Sequence, residues 1–252
     1  MAGPMDGVKV VDMGVWVAGP SSAGILADWG ADVIKIESPT GDPFRGLATP
    51  TGPLPAPFDL DNRGKRSIAL NFDEPEGLAI AKRLIDEADV FVSNMRPRAL
   101  AKFGLSYDDC AKTNPRLIYA QVSAYGPDTD DANRASYDLG AFWSRAGVGL
   151  ALVPPGGPPP QQRGAIGDHT TGANTAGAIS AALYSREKTG KGQRIAVSLL
   201  RSGVYAMGWD LNIHLFTNAA MTPTDRFHAA NPIINCYQAA DGRWCSRFTR
   251  AT

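Results

Sequence analysis

Short apolar runs alternate with segments of helical periodicity through the first half of the chain. The runs have the length and borders of strands buried on both faces of a sheet; they cover residues 8–12, 33–36, 67–71, 90–93 and 117–122. Between two of them, Leu78, Ala81 and Ile85 recur at the spacing of one helix face. Strands that alternate with helices predict an α/β fold, with a parallel Rossmann-like sheet, flanking helices and right-handed crossovers.

The remaining elements follow from the same periodicity and from the turn residues. Helices are expected over 20–29, 76–87, 100–103, 139–144, 173–185 and 204–217, with another beginning at Ser106. A further strand is expected over 194–199 and a hairpin over 231–244. Residues 40–58 are rich in proline and glycine and predict a long irregular loop, and the prolines of 154–160 exclude helix or sheet interior.

The loop over 15–20 follows the first predicted strand, at the edge where open α/β sheets bind their ligands. It lacks the G-x-G-x-x-G pattern, so the sequence does not support a dinucleotide-binding fingerprint.

Charge and cysteine usage narrow the function classes. The 25 Lys and Arg residues balance 25 Asp and Glu, so no overall field attracts nucleic acid or an anionic membrane, and any anion must be bound locally. Three widely spaced cysteines fit reduced thiols. The start lacks a signal-peptide pattern and no apolar stretch is long enough to span a bilayer, which predicts a cytoplasmic protein. His214 and His228 lack partners at ligand spacing, so no metal is expected.

The candidate chemistry centres on residues 163–172, where Asp168 follows Gly167 and precedes a run of small polar residues. Gly167 and Gly172 remove side chains where a ligand would need to approach the backbone closely. Asp168 has two interpretations. It is either the N-cap of the predicted helix, which is the more common role of such a residue, or a functional carboxylate.

Four stretches of the chain resemble, in their residues and in their order, the class III CoA-transferases, the group that includes formyl-CoA transferase and α-methylacyl-CoA racemase. The matching stretches are 7–37, 62–70, 94–97 with 103–105, and 167–168. The resemblance implies that Asp168 is the nucleophile. It would attack an acyl-CoA thioester to give a mixed anhydride and then an aspartyl-CoA thioester. His169 is interpreted as a polar neighbour. CoA would take part as a substrate, together with a small carboxylic acid.

Tyr137 and Asp138 occupy a second motif position. Racemases of the family carry a histidine where this chain has Tyr137, and a tyrosine with a pKa near 10 is poorly matched to proton abstraction. This departure favours a transferase over the racemase alternative. Asp138 either orients Tyr137, contacts substrate, or caps the helix predicted over 139–144.

CoA carries phosphates, so its site needs cations. The candidates are the clustered basic residues Arg63, Lys65, Arg66, Arg96 and Arg98. For each of them a solvated surface position is the competing interpretation. Asn94 and Arg96 match the family's CoA-contacting loop and rank above Lys65 and Arg66, while Val17 and Ala18 match the loop over the CoA thiol arm. Ser38 stands where many members have a basic residue.

The resemblance also implies a domain plan. Residues 1–203 form a large CoA-binding domain, 204–228 a linker helix and 229–252 the start of a smaller, incomplete domain. Because family members run further, we expect a C-terminally truncated chain. An inactive CoA-binding relative is therefore an alternative to the transferase. The family forms interlocked homodimers, so self-association is expected.

Overall fold

The computed structural model describes residues 3–46, 56–154, 156–219, 225–229 and 231–247. Six parallel strands form one sheet in the order β3-β2-β1-β4-β5-β6. They are β1 (Lys9–Asp12), β2 (Asp32–Glu37), β3 (Arg66–Ala69), β4 (Val90–Ser93), β5 (Ile118–Ser123) and β6 (Gln193–Ser198). The predicted α/β fold with a parallel sheet is confirmed.

Helices flank this sheet. They are α1 (Ala18–Asp28), α2 (Ala56–Asn62), α3 (Pro75–Asp86), α4 (Pro97–Lys102), α5 (Tyr107–Thr113), α6 (Val148–Ala151), α7 (Ile166–Thr189), α8 (Leu199–Ala206) and α9 (Gly208–Thr217). A π-helical segment covers Leu139–Arg145, and 3₁₀ turns cover Pro43–Gly46 and Arg226–His228. No helix within the described ranges is both long and apolar enough to cross a membrane.

The core lies on both faces of the sheet because neighbouring strand residues point to opposite sides. On β1, Val10 packs in the cluster with α1 and α7, whereas Val11 packs in the cluster with α3 to α5. The two long helices on the first side approach closely. A Cβ added at Gly172 of α7 would lie 2.0 Å from the Ser21 hydroxyl of α1. Gly172 therefore serves helix packing and not, as predicted, the approach of a ligand.

Several element boundaries differ from the sequence predictions. The helix predicted over 173–185 is α7, which runs over Ile166–Thr189. The predicted loop over 40–58 contains the turn Pro43–Gly46 and the first residues of α2, while residues 47–55 lie outside the described ranges. The strand predicted to reach residue 199 ends at Ser198, because the Ser198 hydroxyl caps α8 by accepting from the Arg201 N–H. The helix predicted over 204–217 is interrupted at the buried Met207.

The predicted hairpin is confirmed as the antiparallel pair β7 (Asn235–Gln238) and β8 (Trp244–Arg247). It forms a second, two-stranded sheet, separate from the six-stranded one. The limits of a smaller second domain remain a prediction.

Candidate active site

A cavity of about 350 Å³ opens beyond the carboxyl ends of β1, β4, β5 and β6. β1 and β4 are neighbours in the sheet, so this is the point where the strand order reverses and open α/β sheets bind ligands. Among its walls are six of the residues singled out from the sequence: Val17, Ala18, Asn94, Arg96, Tyr137 and Asp168.

Asp168 lies in the first turn of α7, as its third residue. The interpretation of Asp168 as N-cap is wrong, because the helix begins earlier, at Ile166, after Ala165 in a left-handed conformation with φ 65°. The positive end of the helix favours a carboxylate at this position. Burial and the nearby Asp138 charge act the other way and raise the pKa of Asp168 to about 7.

Asp138 caps the helix that carries Asp168. Its Oδ2 accepts a hydrogen bond from the Gly167 N–H at 3.2 Å, and it makes no side-chain cap to its own helical segment, contrary to one interpretation of the sequence. Among the described residues, no hydrogen bond joins Asp138 to Tyr137. The Tyr137 ring lies edge-on to Trp16, with 5.7 Å between the ring centroids. A Cβ at Gly167 would lie 2.6 Å from the Phe142 ring, so Gly167 too is required by protein packing.

Asn94 holds the loop after β1. Its side chain accepts from the Val15 N–H at 2.9 Å and donates to the Val15 carbonyl at 2.7 Å, which ties the end of β4 to the end of β1. Trp16, which follows Val15 in the chain, has φ 62°, a left-handed conformation that is rare for a bulky side chain. Such strain persists only where surrounding contacts fix it; here they include the bond from the Trp16 N–H to Asp42.

Lys65 lies in a buried charge network and not at a phosphate site. Its ammonium donates to Asp12 at 2.8 Å, to the Pro20 carbonyl at 2.8 Å and to Asn62 at 2.9 Å, which uses all three of its donors. Its side chain is 2% exposed. Lys35 contributes a second ammonium, 3.0 Å from Asp42. The structure thus contradicts the assignment of Lys65 to CoA.

Burial favours protonation of the Asp12 carboxyl in this network. The two nearby ammonium groups of Lys65 and Lys35 nevertheless hold its pKa below the ordinary value. The network lies at the carboxyl end of β1, and none of its side chains lines the cavity.

The other basic candidates differ in whether they line the cavity. Arg63 and Arg66 are bonded to Asp28 and Asp32 and do not line the cavity. Arg98 is exposed and also lies outside its walls, whereas Arg96 lines it. Arg134 is a further cation of the wall that the sequence analysis missed; no motif marks it.

His169, interpreted from the sequence only as a polar neighbour, is paired with a carboxylate in the structure. Its Nε2 lies 2.9 Å from Oδ1 of Asp61, whose side chain is 3% exposed. This hydrogen bond is the main reason why the pKa of His169 is raised above its ordinary value. The two residues are 108 positions apart in the chain, so no local pattern relates them.

A second cavity of about 450 Å³ adjoins the first and shares Val15 and Met95 with it. Its walls include Ser38 and the edge-on pair Phe72 and Phe103. Glu37 also lines it. Although burial acts to raise the pKa of Glu37, hydrogen bonds from Arg45 and Ser67 lower it to about 2. Within the described ranges, no cluster of residues suited to a metal ion occurs.

Comparison with known proteins gives consistent matches over nearly the whole chain. The family model for CoA-transferase family III matches residues 5–248. The (R)-2-hydroxy-4-methylpentanoate CoA-transferase of Clostridioides difficile is 35% identical over 95% of this chain and 61% of its own length. The cinnamoyl-CoA:phenyllactate CoA-transferase of Clostridium sporogenes is 36% identical over 93% of this chain and 58% of its own.

The structural match agrees. A CaiB/BaiF family protein from Brucella suis superposes with a TM-score of 0.88 at 34% identity, covering 97% of this chain and 65% of that one. The chain therefore spans about three fifths of the length of the curated relatives described above. With the family model matched over residues 5–248, the chain belongs to CoA-transferase family III.

Proposed function

We propose that this chain carries the active site of an acyl-CoA:carboxylate CoA-transferase in which Asp168 is the nucleophile. The observation that carries the proposal is a half-buried carboxylate at the start of a helix, in the wall of the cavity at the strand-order reversal. The membership in a CoA-transferase family and the names of the relatives support the reaction class.

The proposed chemistry uses one carboxylate twice. An Asp168 oxygen attacks the thioester carbonyl, the C–S bond breaks, and CoA leaves as thiolate from a mixed anhydride. The thiolate then attacks the aspartyl carbonyl of that anhydride, which releases the first acid as its carboxylate and leaves an aspartyl-CoA thioester. The acceptor carboxylate reverses the two steps, forming a new acyl-CoA and free Asp168. Each step is an acyl transfer between nucleophiles, so covalent catalysis divides one difficult transfer into easier ones.

The two adjoining cavities suit a long ligand. CoA would lie across the loop at Val15, with its thiol arm in the cavity of Asp168 and its nucleotide end in the cavity of Phe72 and Phe103. Val17, Ala18 and Asn94 would border the thiol arm. Arg96 and Arg134 are the cations of the first cavity that we assign to the diphosphate, which joins the thiol arm to the nucleotide end.

The aromatic residues of the cavity wall support a proposal for the acyl class. Trp16 packs against both Tyr137 and Phe44, at 5.7 and 5.9 Å between ring centroids, and forms part of the cavity that contains Asp168. Such a surface favours an apolar or aromatic acid over a second carboxylate. Two relatives are named for 2-hydroxy-4-methylpentanoate, cinnamoyl-CoA and phenyllactate, whereas others of similar identity are named for glutarate, oxalate and malate.

A second copy of the chain is the proposed partner. α9 has no buried residue within the described structure, and Trp209 and Phe216 on it are 80% and 90% exposed. An apolar helix face of this kind is typical of a surface covered by another protein.

The racemase is the second candidate of the same family. It requires acid and base groups that exchange the α-proton. Tyr137 stands where racemases of the family carry a histidine, and a phenol is poorly matched to proton abstraction at neutral pH.

The direct test is to trap the acyl adduct. The chain is incubated with cinnamoyl-CoA, digested and examined by mass spectrometry, with hydroxylamine as the trapping nucleophile. A hydroxylamine-sensitive adduct on Asp168, absent in Asp168→Asn, supports the mechanism. An adduct on Asp138 contradicts the assignment of Asp168. Binding of CoA without any adduct or transfer supports the inactive, CoA-binding alternative.

A further inference from the structure

One imidazole and three carboxylates meet at the start of α7. Asp61 reaches it from α2, Asp138 from the segment before residue 139, and Asp168 and His169 belong to the helix itself. The Lys65 ammonium also interacts with the charge of Asp61, and Arg96 and Arg134 line the cavity that holds Asp168. These are the charged groups that decide which protons the site carries.

The Asp61 carboxylate is the hydrogen-bond partner of the His169 imidazole. It is almost wholly buried and bonds the His169 ring at 2.9 Å. A buried carboxylate needs a positive partner or a proton, because its isolated charge loses the solvation of water. The Asp61 carboxylate therefore favours the protonated form of His169, whose pKa is raised above its ordinary value.

The pair is not symmetrical with respect to Asp168. His169 is the next residue of the helix, whereas Asp61 bonds Nε2, the ring nitrogen farther from the His169 backbone. The positive end of the pair is therefore the nearer one. Consistently, His169 lowers the pKa of Asp168 more than Asp61 raises it.

We propose that Asp61 is a positioning residue for the nucleophile: it holds a protonated His169 beside Asp168, and this cation favours the ionised form of Asp168. This inference rests on the proposed function for its consequence in catalysis, but the ionisation itself does not depend on turnover. Nothing in the sequence assigns such a role to the stretch before Asn62.

The first experiment measures ionisation in the free protein. The chain is labelled with ¹³C-carboxyl aspartate, the Asp168 signal is assigned through Asp168→Asn, and its titration midpoint is followed by NMR. Asp61→Asn is expected to lower the His169 midpoint and to raise the Asp168 midpoint by about one pH unit, since the nearer cation is lost along with the farther anion. Asp59→Asn, an exposed residue of the same helix, is the matched control and should leave both midpoints in place.

The decisive readout is a reversal of sign. In a His169→Gln background the imidazole cation is gone, so Asp61→Asn removes only an anion and should lower the Asp168 midpoint. Shifts of the same sign in both backgrounds, or no shift in either, would overturn the proposal. If Asp61→Asn does not fold, two other variants test the proposal. Asp61→Glu should retain the parental Asp168 midpoint, and His169→Gln alone should raise the Asp168 midpoint.

The second experiment separates this inference from the proposed function. In the pH profile of CoA transfer, the acid limb of Asp61→Asn should move to higher pH by the same amount as the Asp168 midpoint. A parent that shows the expected titrations but no transfer contradicts the proposed function and leaves the coupling intact. A parent that transfers CoA with an acid limb unaffected by Asp61→Asn contradicts the coupling and leaves the function intact.

Discussion

The Asp138 carboxylate accepts a hydrogen bond from the Gly167 backbone N–H, 3.2 Å away. One carboxylate thus caps the helix whose first turn carries another, Asp168. Because Asp138 accepts from this amide, its charge lies close to Asp168. Burial and the Asp138 charge raise the pKa of Asp168 to about 7. The raised pKa lowers the stability of the folded chain at neutral pH, and it makes Asp168 a carboxylate that gains and loses its proton near neutral pH.

This raised pKa predicts a pH-dependent stability. Between the ordinary Asp value of 3.8 and about 7, the folded chain binds a proton that the unfolded chain has lost, so stability falls as pH rises through that window. Asp168→Asn removes the effect. Urea unfolding should show the variant gaining about 1 to 3 kcal/mol on the parent between pH 4 and pH 8. The exposed Asp108→Asn serves as the control, and parallel curves for parent and Asp168→Asn would refute the shift.

The buried network predicts that Lys65 is a stability residue. Lys65→Met leaves Asp12 with less compensation in a buried environment and should cost about 3 to 5 kcal/mol of unfolding free energy. Arg66→Met, which breaks the exposed pair with Asp32, should cost less than about 1 kcal/mol. Chemical denaturation distinguishes the two. Equal losses would mean that the network contributes no more than a surface ion pair.

Arg96 and Arg98 form a matched pair for CoA binding, because they belong to the same loop and helix start but only Arg96 lines the cavity. Arg96→Ala should weaken binding of free CoA by about 1.5 to 3 kcal/mol, the range for a hydrogen bond to a charged group, and make it less sensitive to salt. Arg98→Ala should change neither. The measurement is calorimetry at low and high salt; an unchanged affinity for Arg96→Ala at both would remove it from the site.

The chain should not exchange the α-proton of a 2-methylacyl-CoA at a useful rate. A phenol that carries its own proton cannot abstract another, and Tyr137 occupies the position of the histidine that racemases of the family use. Deuterium wash-in from D₂O, followed by mass spectrometry, measures the exchange. Rapid incorporation, lost in Tyr137→Phe, would restore the racemase.

Self-association should depend on the exposed face of α9. Replacing Trp209 and Phe216 by serine removes the two most exposed aromatic groups of that helix and should shift the chain from dimer to monomer in sedimentation velocity. Leu60→Ser, at an exposed apolar position on α2, should leave the dimer intact. A parent that sediments as a monomer would contradict the proposed partner.

The periodicity of the sequence was enough for the fold. Strands buried on both faces read as short apolar runs, and all six strands of the parallel sheet were predicted with errors of a few residues. Local signals were weaker at helix starts. α7 begins at Ile166 without a polar N-cap, since Ala165 adopts a left-handed conformation and the cap comes from Asp138, far away in the chain.

The sequence by itself determined the parallel sheet, the loop at its reversal point and the identity of Asp168 as the candidate carboxylate, because these depend on periodicity and motif order. Only the tertiary structure decided how the charges are used. Lys65 resembled a phosphate ligand in a basic motif, yet it is buried and paired with Asp12 at the end of β1. His169 looked like a neighbour, yet it is held by Asp61. Burial and long-range pairing set the charge of each group, and neither leaves a local pattern in the chain.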